Sequence, residues 1–391
     1  MSTEGINLVD VNIFLERREH AVFRTLRDEA PVYFNREDDG PGFYAVTRYD
    51  DVSEIVRDTD RFSNAKGTQI KNRKAEGHGT SSVHNSDPPY HTRLRSAAAF
   101  GFRRGAIEAL APKVKATVVE LLDACPRGET FDFVERFATL LPMRVIGDLM
   151  GVPKEDQPRM VAWANTISNS FASEEEQAVA RADLFGFFRR LVALKRENPA
   201  DDLATALAEA KVDGEPLTQN ELDAYFMVLT AAGNETTRFL VSGGLEQLLL
   251  QPDDFQLLRH SPDLIPKAVE EMIRWVSPVM QMRRTVTRDT EFAGTPLKAG
   301  DKVVIYFVSA NRDERRFPEP EQFSPTRRSN GHLGFGLGPH FCLGAHLARL
   351  ESQIFFQMLY ERISEVRLKG PGKKLPSYLF SGHVSLPIEW N

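Results

Sequence analysis

The stretch FGLGPHFCLGAHLARLE, Phe335 to Glu351, decides the reading of this 391-residue chain. It sets Cys342 among Gly336, Gly338 and Gly344, then continues as Ala345, Leu347, Ala348 and Leu350 mixed with Arg349 and Glu351, a run of strong helix formers. Cys342 is therefore expected at or just before a helix N-terminus. Unpaired backbone amides and the positive end of the helix dipole would there lower the thiol pKa and favour a thiolate, which can ligate metal. Glycines let the backbone take unusual dihedrals and lie close to a flat partner.

A lone cysteine is most often a small buried hydrophobe. The spacing of Phe335, Gly338, Cys342 and Gly344 points instead to a haem iron held by an axial thiolate, with backbone amides aimed at the sulfur. The stretch resembles the haem-binding signature of the cytochrome P450 family at those four positions. The resemblance implies a mainly α fold with small β-sheets (α+β), and haem b lying between a long central helix and the loop of Cys342. Phe335, Gly336, His340, Cys342 and Gly344 would contact the cofactor, Cys342 as the metal ligand.

Composition agrees with a folded enzyme and excludes several other classes. With 41% hydrophobic residues the chain can bury a large core. No run is apolar enough for a membrane span or anchor, and MSTEGINLVD is unlike a signal peptide, so a cytoplasmic protein is expected. Cys125 and Cys342 are the only cysteines, too few for a disulfide framework or a CxxC zinc site. A net charge of −6 without a long basic run excludes nucleic acid as an expected partner.

Along the chain, Pro31–Phe34 and Gly42–Thr47 alternate around NREDDGP as a hairpin, and Tyr49–Arg57 reads as a short helix. Lys66–Ser86, rich in glycine and polar groups, is either a plain surface loop or a lid over a pocket. Ser86–Phe102 opens with a capping residue and two prolines and runs on as a helix, with His91 and Arg95 one turn apart. Helices follow to Asn198, with SEEEQ, Ser173–Gln177, expected as a connection between two of them.

Glu221–Leu250 is apolar nearly all round and must be buried. Its polar island, Gly233 to Thr237, costs helix stability. The Thr236 hydroxyl can bond the Ala232 carbonyl and open the helical ladder into a groove. Ile265–Pro278 reads as a bounded helix carrying Glu271 and Arg274 on one face, and beyond Pro278 the pattern turns to strands.

The resemblance covers essentially the whole chain, which is read as one domain, 1–391. It implies that His91, Arg95, Arg284 and His340 bind the haem propionates and that Ala232 and Gly233 lie against the cofactor. Glu235 and Thr236 would be the acid and alcohol that deliver protons. Glu271 and Arg274 would form a structural ion pair joined by Arg327. Val279, Met280, Gln281, Met282, Leu379 and Phe380 would line the substrate pocket.

The implied activity is insertion of one oxygen atom from O2 into a hydrophobic small molecule, a terpenoid, steroid or branched or fatty lipid. No flavin or nicotinamide motif is present, so electrons would come from a separate ferredoxin or flavodoxin, docked on Arg103, Arg104 and Arg349. The protein is expected to be a monomer. A peroxide-driven peroxygenase, a haem-containing binding protein and, more distantly, a cysteine hydrolase are the alternatives. Peroxygenases of the family lack the acid and alcohol pair that this chain keeps.

Overall fold

The computed structural model describes residues 3–71, 82–168, 172–328 and 330–391. The chain is mainly helical with small β-sheets. The expected hairpin forms from β1 (Val32–Asn35) and β2 (Phe43–Val46), followed by α1 (Tyr49–Arg57) and the short β3 (Phe62–Ser63). These strands join β4 (Gln281–Val286) and β5 (Lys302–Tyr306) in a sheet of order β1-β2-β5-β4-β3, antiparallel except where β5 runs parallel to β2. The middle of the proposed lid, residues 72–81, lies outside the described residues.

The helix bearing His91 and Arg95 is α2 (Tyr90–Ala99), which starts directly after the two prolines, as its sequence suggests, and ends three residues before Phe102. No side chain caps its start: the Asp87 carboxylate accepts hydrogen bonds from Ser63 and the Asn64 amide beside β3.

SEEEQ is not a connection. Ser173 caps α4 (Glu174–Glu197), which comes after α3 (Leu140–Leu149) and a further helix, Gln157–Ser168, and the glutamates form the first turn of α4. The Ser173 hydroxyl accepts the Glu176 amide proton while the Glu176 carboxylate accepts that of Ser173, a reciprocal cap with acid favourably at the positive helix end.

The central element is α5 (Gln219–Leu250), also started by a reciprocal cap, Thr218 with Glu221. It is buried along most of its length between α3, α4 and α6 (Ile265–Val276), where Gly243 and Gly244 allow Val276 and Met272 of α6 to approach. The Cys342 loop leads into α7 (Ala345–Arg362), which packs against α6 and α5.

In α7, Glu351 is fully buried, its Oε2 lacks a hydrogen-bond partner, and burial pushes its pKa up to about 8. A carboxyl whose folded pKa is raised withdraws stability as pH climbs from its unfolded value near 4.5 to about 8, because the unfolded chain releases the proton first. Glu351→Gln should remove up to about 1.4 kcal/mol of this dependence per pH unit. Urea midpoints near the two ends of that window test it: the wild-type fall should flatten in the variant.

Candidate active site

The Cys342 loop is shaped by local hydrogen bonds and two left-handed glycines. The Gly336 amide donates to the Leu333 carbonyl (2.9 Å), Phe341 to Gly338 (3.1 Å) and Cys342 to Phe335 (2.9 Å). Gly336 and Gly338 have φ of 67° and 65°, which disfavours any side chain, and a Cβ on Gly338 would press within 3.2 Å of the Val56 carbonyl of α1. Gly344 is the N-cap of α7, so Cys342 lies just before the helix, as its sequence suggests.

The expected direction of its pKa is overturned. Burial pushes the Cys342 thiol up, outweighing the Gly344 amide that points at the sulfur and the positive charges of Arg95 and Arg349. Protein atoms surround the residue although it keeps accessible surface, so that surface faces an interior space. Without metal the sulfur holds its proton; a coordinating metal removes it outright.

Four basic groups converge on the same space. His91 is 1% exposed and neither ring nitrogen has a partner; His340 Nε2 also has none, and the two rings stand 4.0 Å apart. Arg95 donates to the Phe341 carbonyl (2.6 Å) and Arg284 to the Arg283 carbonyl (2.9 Å). Among the described residues, none of the four makes an ion pair with a carboxylate.

Burial first, and mutual repulsion second, push His340 down to about 2; burial lowers Arg284 to about 10 and also lowers His91 and Arg95. A buried guanidinium is costly unless an anion meets it; here Asp87 acts on Arg284 and His91 through space without forming an ion pair, and His340 at about 2 is uncharged at neutral pH. The set is complementary to two carboxylates placed beside an axial thiolate, and so fits a haem with its propionates.

On α5, Thr236 Oγ1 donates to the Ala232 carbonyl at 2.9 Å, while the helix continues unbroken through the polar island. The sequence-expected opening of the ladder is absent: a local bond to the preceding turn is satisfied without breaking the helix. Glu235 is largely buried, which raises its pKa; Arg238, one turn on at 3.5 Å, opposes that rise. Arg238 is itself buried, has its pKa lowered by burial, and stacks on Phe239 at 4.7 Å. Sequence reading passed over Arg238, although its three-residue spacing from Glu235 repeats that of Glu271 and Arg274.

The pocket candidates divide. Val279 pairs with Phe380 across an antiparallel bridge, the Met280 amide donates to the Leu379 carbonyl (2.9 Å), and Phe380 lies 6.1 Å from the Phe239 ring of α5. These contacts bring the C-terminal turn to the central helix. In β4, however, alternation puts Met282 and Arg284 on one face and Gln281 on the other, opposite Tyr306 of β5. Gln281 does not share the face of Met282 and Arg284. Both its amide atoms and the Tyr306 hydroxyl are buried without partners.

Glu271 and Arg274 are fully buried and meet through two 2.8 Å bonds. Arg327 reaches both Glu271 oxygens (3.1 and 3.0 Å), and the Ser324 amide and Asn330 Nδ2 donate to the same carboxylate, each at 2.9 Å. Arg274 donates further to the carbonyls of Asn311, Pro320 and Gln322. One pair thus ties α6 to the segment leading into the Cys342 loop.

The three arginines expected to dock a redox partner are not equivalent. Arg104 is 79% exposed and pairs with Glu108 (2.7 Å), Arg103 stacks over the exposed ring of Phe100 (5.2 Å), and Arg349 is held by Glu270. Arg349 is thus committed to a partner within the chain. No helix among the described residues is long and apolar enough to cross a membrane.

Comparison with known proteins converges on one family. A family model described as Cytochrome P450 matches residues 188–378, which include α5, α6 and the Cys342 loop. The chain is 38% identical over 393 residues to a steroid C26-monooxygenase of Mycobacterium tuberculosis, covering 98% of this chain and 96% of the relative. It is 37% identical over 388 residues to a methyl-branched lipid omega-hydroxylase of the same species, covering 94% and 90%. A cytochrome P450 of Mycobacterium marinum, solved in complex with pseudoionone, superposes with a TM-score of 0.92 at 32% identity over 100% of this chain and 99% of that one. With its cysteine loop, its buried basic groups and these whole-length likenesses, the chain belongs to the cytochrome P450 family of haem proteins and is an oxygen-incorporating oxidoreductase.

Proposed function

We propose that the chain is a single-domain haem b thiolate monooxygenase, in which Cys342 would supply the thiolate that holds the iron, acting on a steroid, terpenoid or branched or fatty lipid. The observation that carries the reading is the convergence on Cys342 of two buried groups, His91 and Arg284, and two half-buried ones, Arg95 and His340, none ion-paired to a carboxylate among the described residues. When bound, the haem supplies oxygen activation and transfer to substrate. Cys342 would hold the iron after giving up its thiol proton, and Arg95, Arg284, His91 and His340 would hold the propionates.

Val279, Met282, Leu379 and Phe380 would give the substrate an apolar wall, whereas Met280 is buried in a separate core cluster with Val304 and Tyr306. Glu235, its pKa raised by burial, would serve as the acid and Thr236 as the alcohol that deliver protons, a general-acid task. Arg238 keeps that carboxyl from rising further.

Electrons come from a separate ferredoxin or flavodoxin, with Arg103, Arg104 and the Phe100 ring as the docking face. The protein works in the cytoplasm as a monomer, without a nucleic-acid partner. The names of the relatives, a steroid and a methyl-branched lipid oxygenase, support the substrate range.

Thr236→Ala tests the proton role. Reduction should proceed at the wild-type rate, while product formed per electron falls by about tenfold or more and hydrogen peroxide rises in proportion. Unchanged product per electron removes Thr236 from the pathway.

A further inference from the structure

Glu270 precedes the buried Glu271 on α6, and the two neighbouring carboxylates serve different partners. Glu271 holds Ser324, Arg327 and Asn330, ahead of the Cys342 loop. Glu270 holds the loop itself at both ends. Its Oε1 accepts from Arg349 Nε (2.6 Å) and its Oε2 from Arg349 Nη2 (2.8 Å), two turns past the cysteine in α7.

At the other end, His332 Nδ1 accepts the Gly334 amide proton (3.1 Å), so Nε2 carries the ring hydrogen and donates to Glu270 Oε2 (3.2 Å). The Arg349 guanidinium also covers the Phe335 ring at 4.5 Å, and the Phe335 carbonyl is the acceptor of the Cys342 amide. His332 is nearly buried, and Glu270 and Arg349 are about a quarter exposed, so solvent screens this network less than a surface pair.

We propose that Glu270, Arg349 and His332 form a charged strut that positions the Cys342 loop against α6 and sets the electrostatic field at the sulfur. The proposal rests on Cys342 as the axial ligand. It makes Arg349 a positioning residue, acting through Phe335 and the loop rather than through a docked protein. Arg349's positive charge reaches Cys342, and Glu270, held well ionised at about 2 by Arg349 and His332 against the opposing effect of burial, balances it.

The consequence has a sign. Glu270→Gln leaves the Arg349 charge uncompensated near the sulfur and should favour the reduced haem. Arg349→Leu leaves the Glu270 charge behind and should favour the oxidised one. Each shift should be about threefold to tenfold in the reduced-to-oxidised ratio at fixed potential, the tenfold case being about 59 mV for one electron.

The experiment is an equilibrium redox titration of the holoprotein, with no redox partner present, alongside the persistence of the thiolate-type carbonyl band. Opposite shifts in the two variants are expected, and Arg349→Lys should hold the wild-type potential while its band converts faster to the thiol-type position, because lysine keeps the charge without the fork. Potentials unmoved or moved in the same direction, or a band as persistent as wild type in both Arg349 variants, overturn the proposal. If Arg349→Leu fails to take up haem, the near-isosteric Glu270→Gln decides alone. Cys342→Ser separates the two readings: a thiolate-type band that survives it removes the axial ligand, whereas its loss together with unmoved Glu270→Gln potentials removes only the strut.

Discussion

Replacing Glu271 with alanine is expected to cost about 3–5 kcal/mol of stability, the usual penalty for removing one partner of a buried ion pair. The value follows from what remains behind. Arg274 would keep its backbone acceptors but lose both carboxylate bonds at full burial, and Arg327, the Ser324 amide and Asn330 would lose their shared acceptor. A loss of that size shifts the folding equilibrium by about two to four powers of ten.

Because these groups anchor the segment before Cys342, haem retention should fall with stability. Urea unfolding with haem content measured on the same samples checks this. Glu271→Asp, which keeps the charge but shortens the reach, should fall between wild type and alanine. An alanine variant with wild-type midpoint and full haem would show that the network contributes little.

Replacing Cys342 with serine is expected to abolish turnover, by about 10³-fold or more, equivalent to about 4 kcal/mol of barrier. The two side chains are nearly isosteric, and the loop geometry depends on backbone bonds among Leu333, Phe335, Gly336, Gly338, Phe341 and the Cys342 amide, none of which needs sulfur. Folding should therefore survive while chemistry does not, and circular dichroism beside substrate oxidation measures both. Serine lacks the polarisable thiolate that donates electron density to iron. Retained oxidation by a well-folded serine variant would place the chemistry elsewhere.

How much of this was legible in the sequence depended on the distance over which each feature is decided. The Thr236 bond to Ala232 follows from helix periodicity, whereas the three-residue spacing of Glu271 and Arg274 allows their pair and the family resemblance singles it out. The cap at Ser173 was equally local, since serine followed three residues later by glutamate marks a helix start, yet the acidic run was read as a connection. Arg238 was visible in the same way and was passed over.

Features decided by the fold were out of reach. The Cys342 pKa moves against its helix-terminus expectation because burial by distant segments outweighs local amides. Arg349 meets Glu270 across 79 positions of chain, which no local pattern announces. Gln281 belongs on the other face from Met282 and Arg284 because strand register with Tyr306, not residue type, sets its direction.

The most direct test of the central claim is the absorption spectrum of the reduced protein under carbon monoxide, wild type beside Cys342→Ser. A Soret band shifted strongly to the red in the wild type and absent from the serine variant is the predicted result, because only a thiolate opposite carbon monoxide produces it. A wild-type band at the position given by a histidine or a protonated thiol, or no haem band after expression with added haem, would contradict Cys342 as the axial thiolate on which the rest depends.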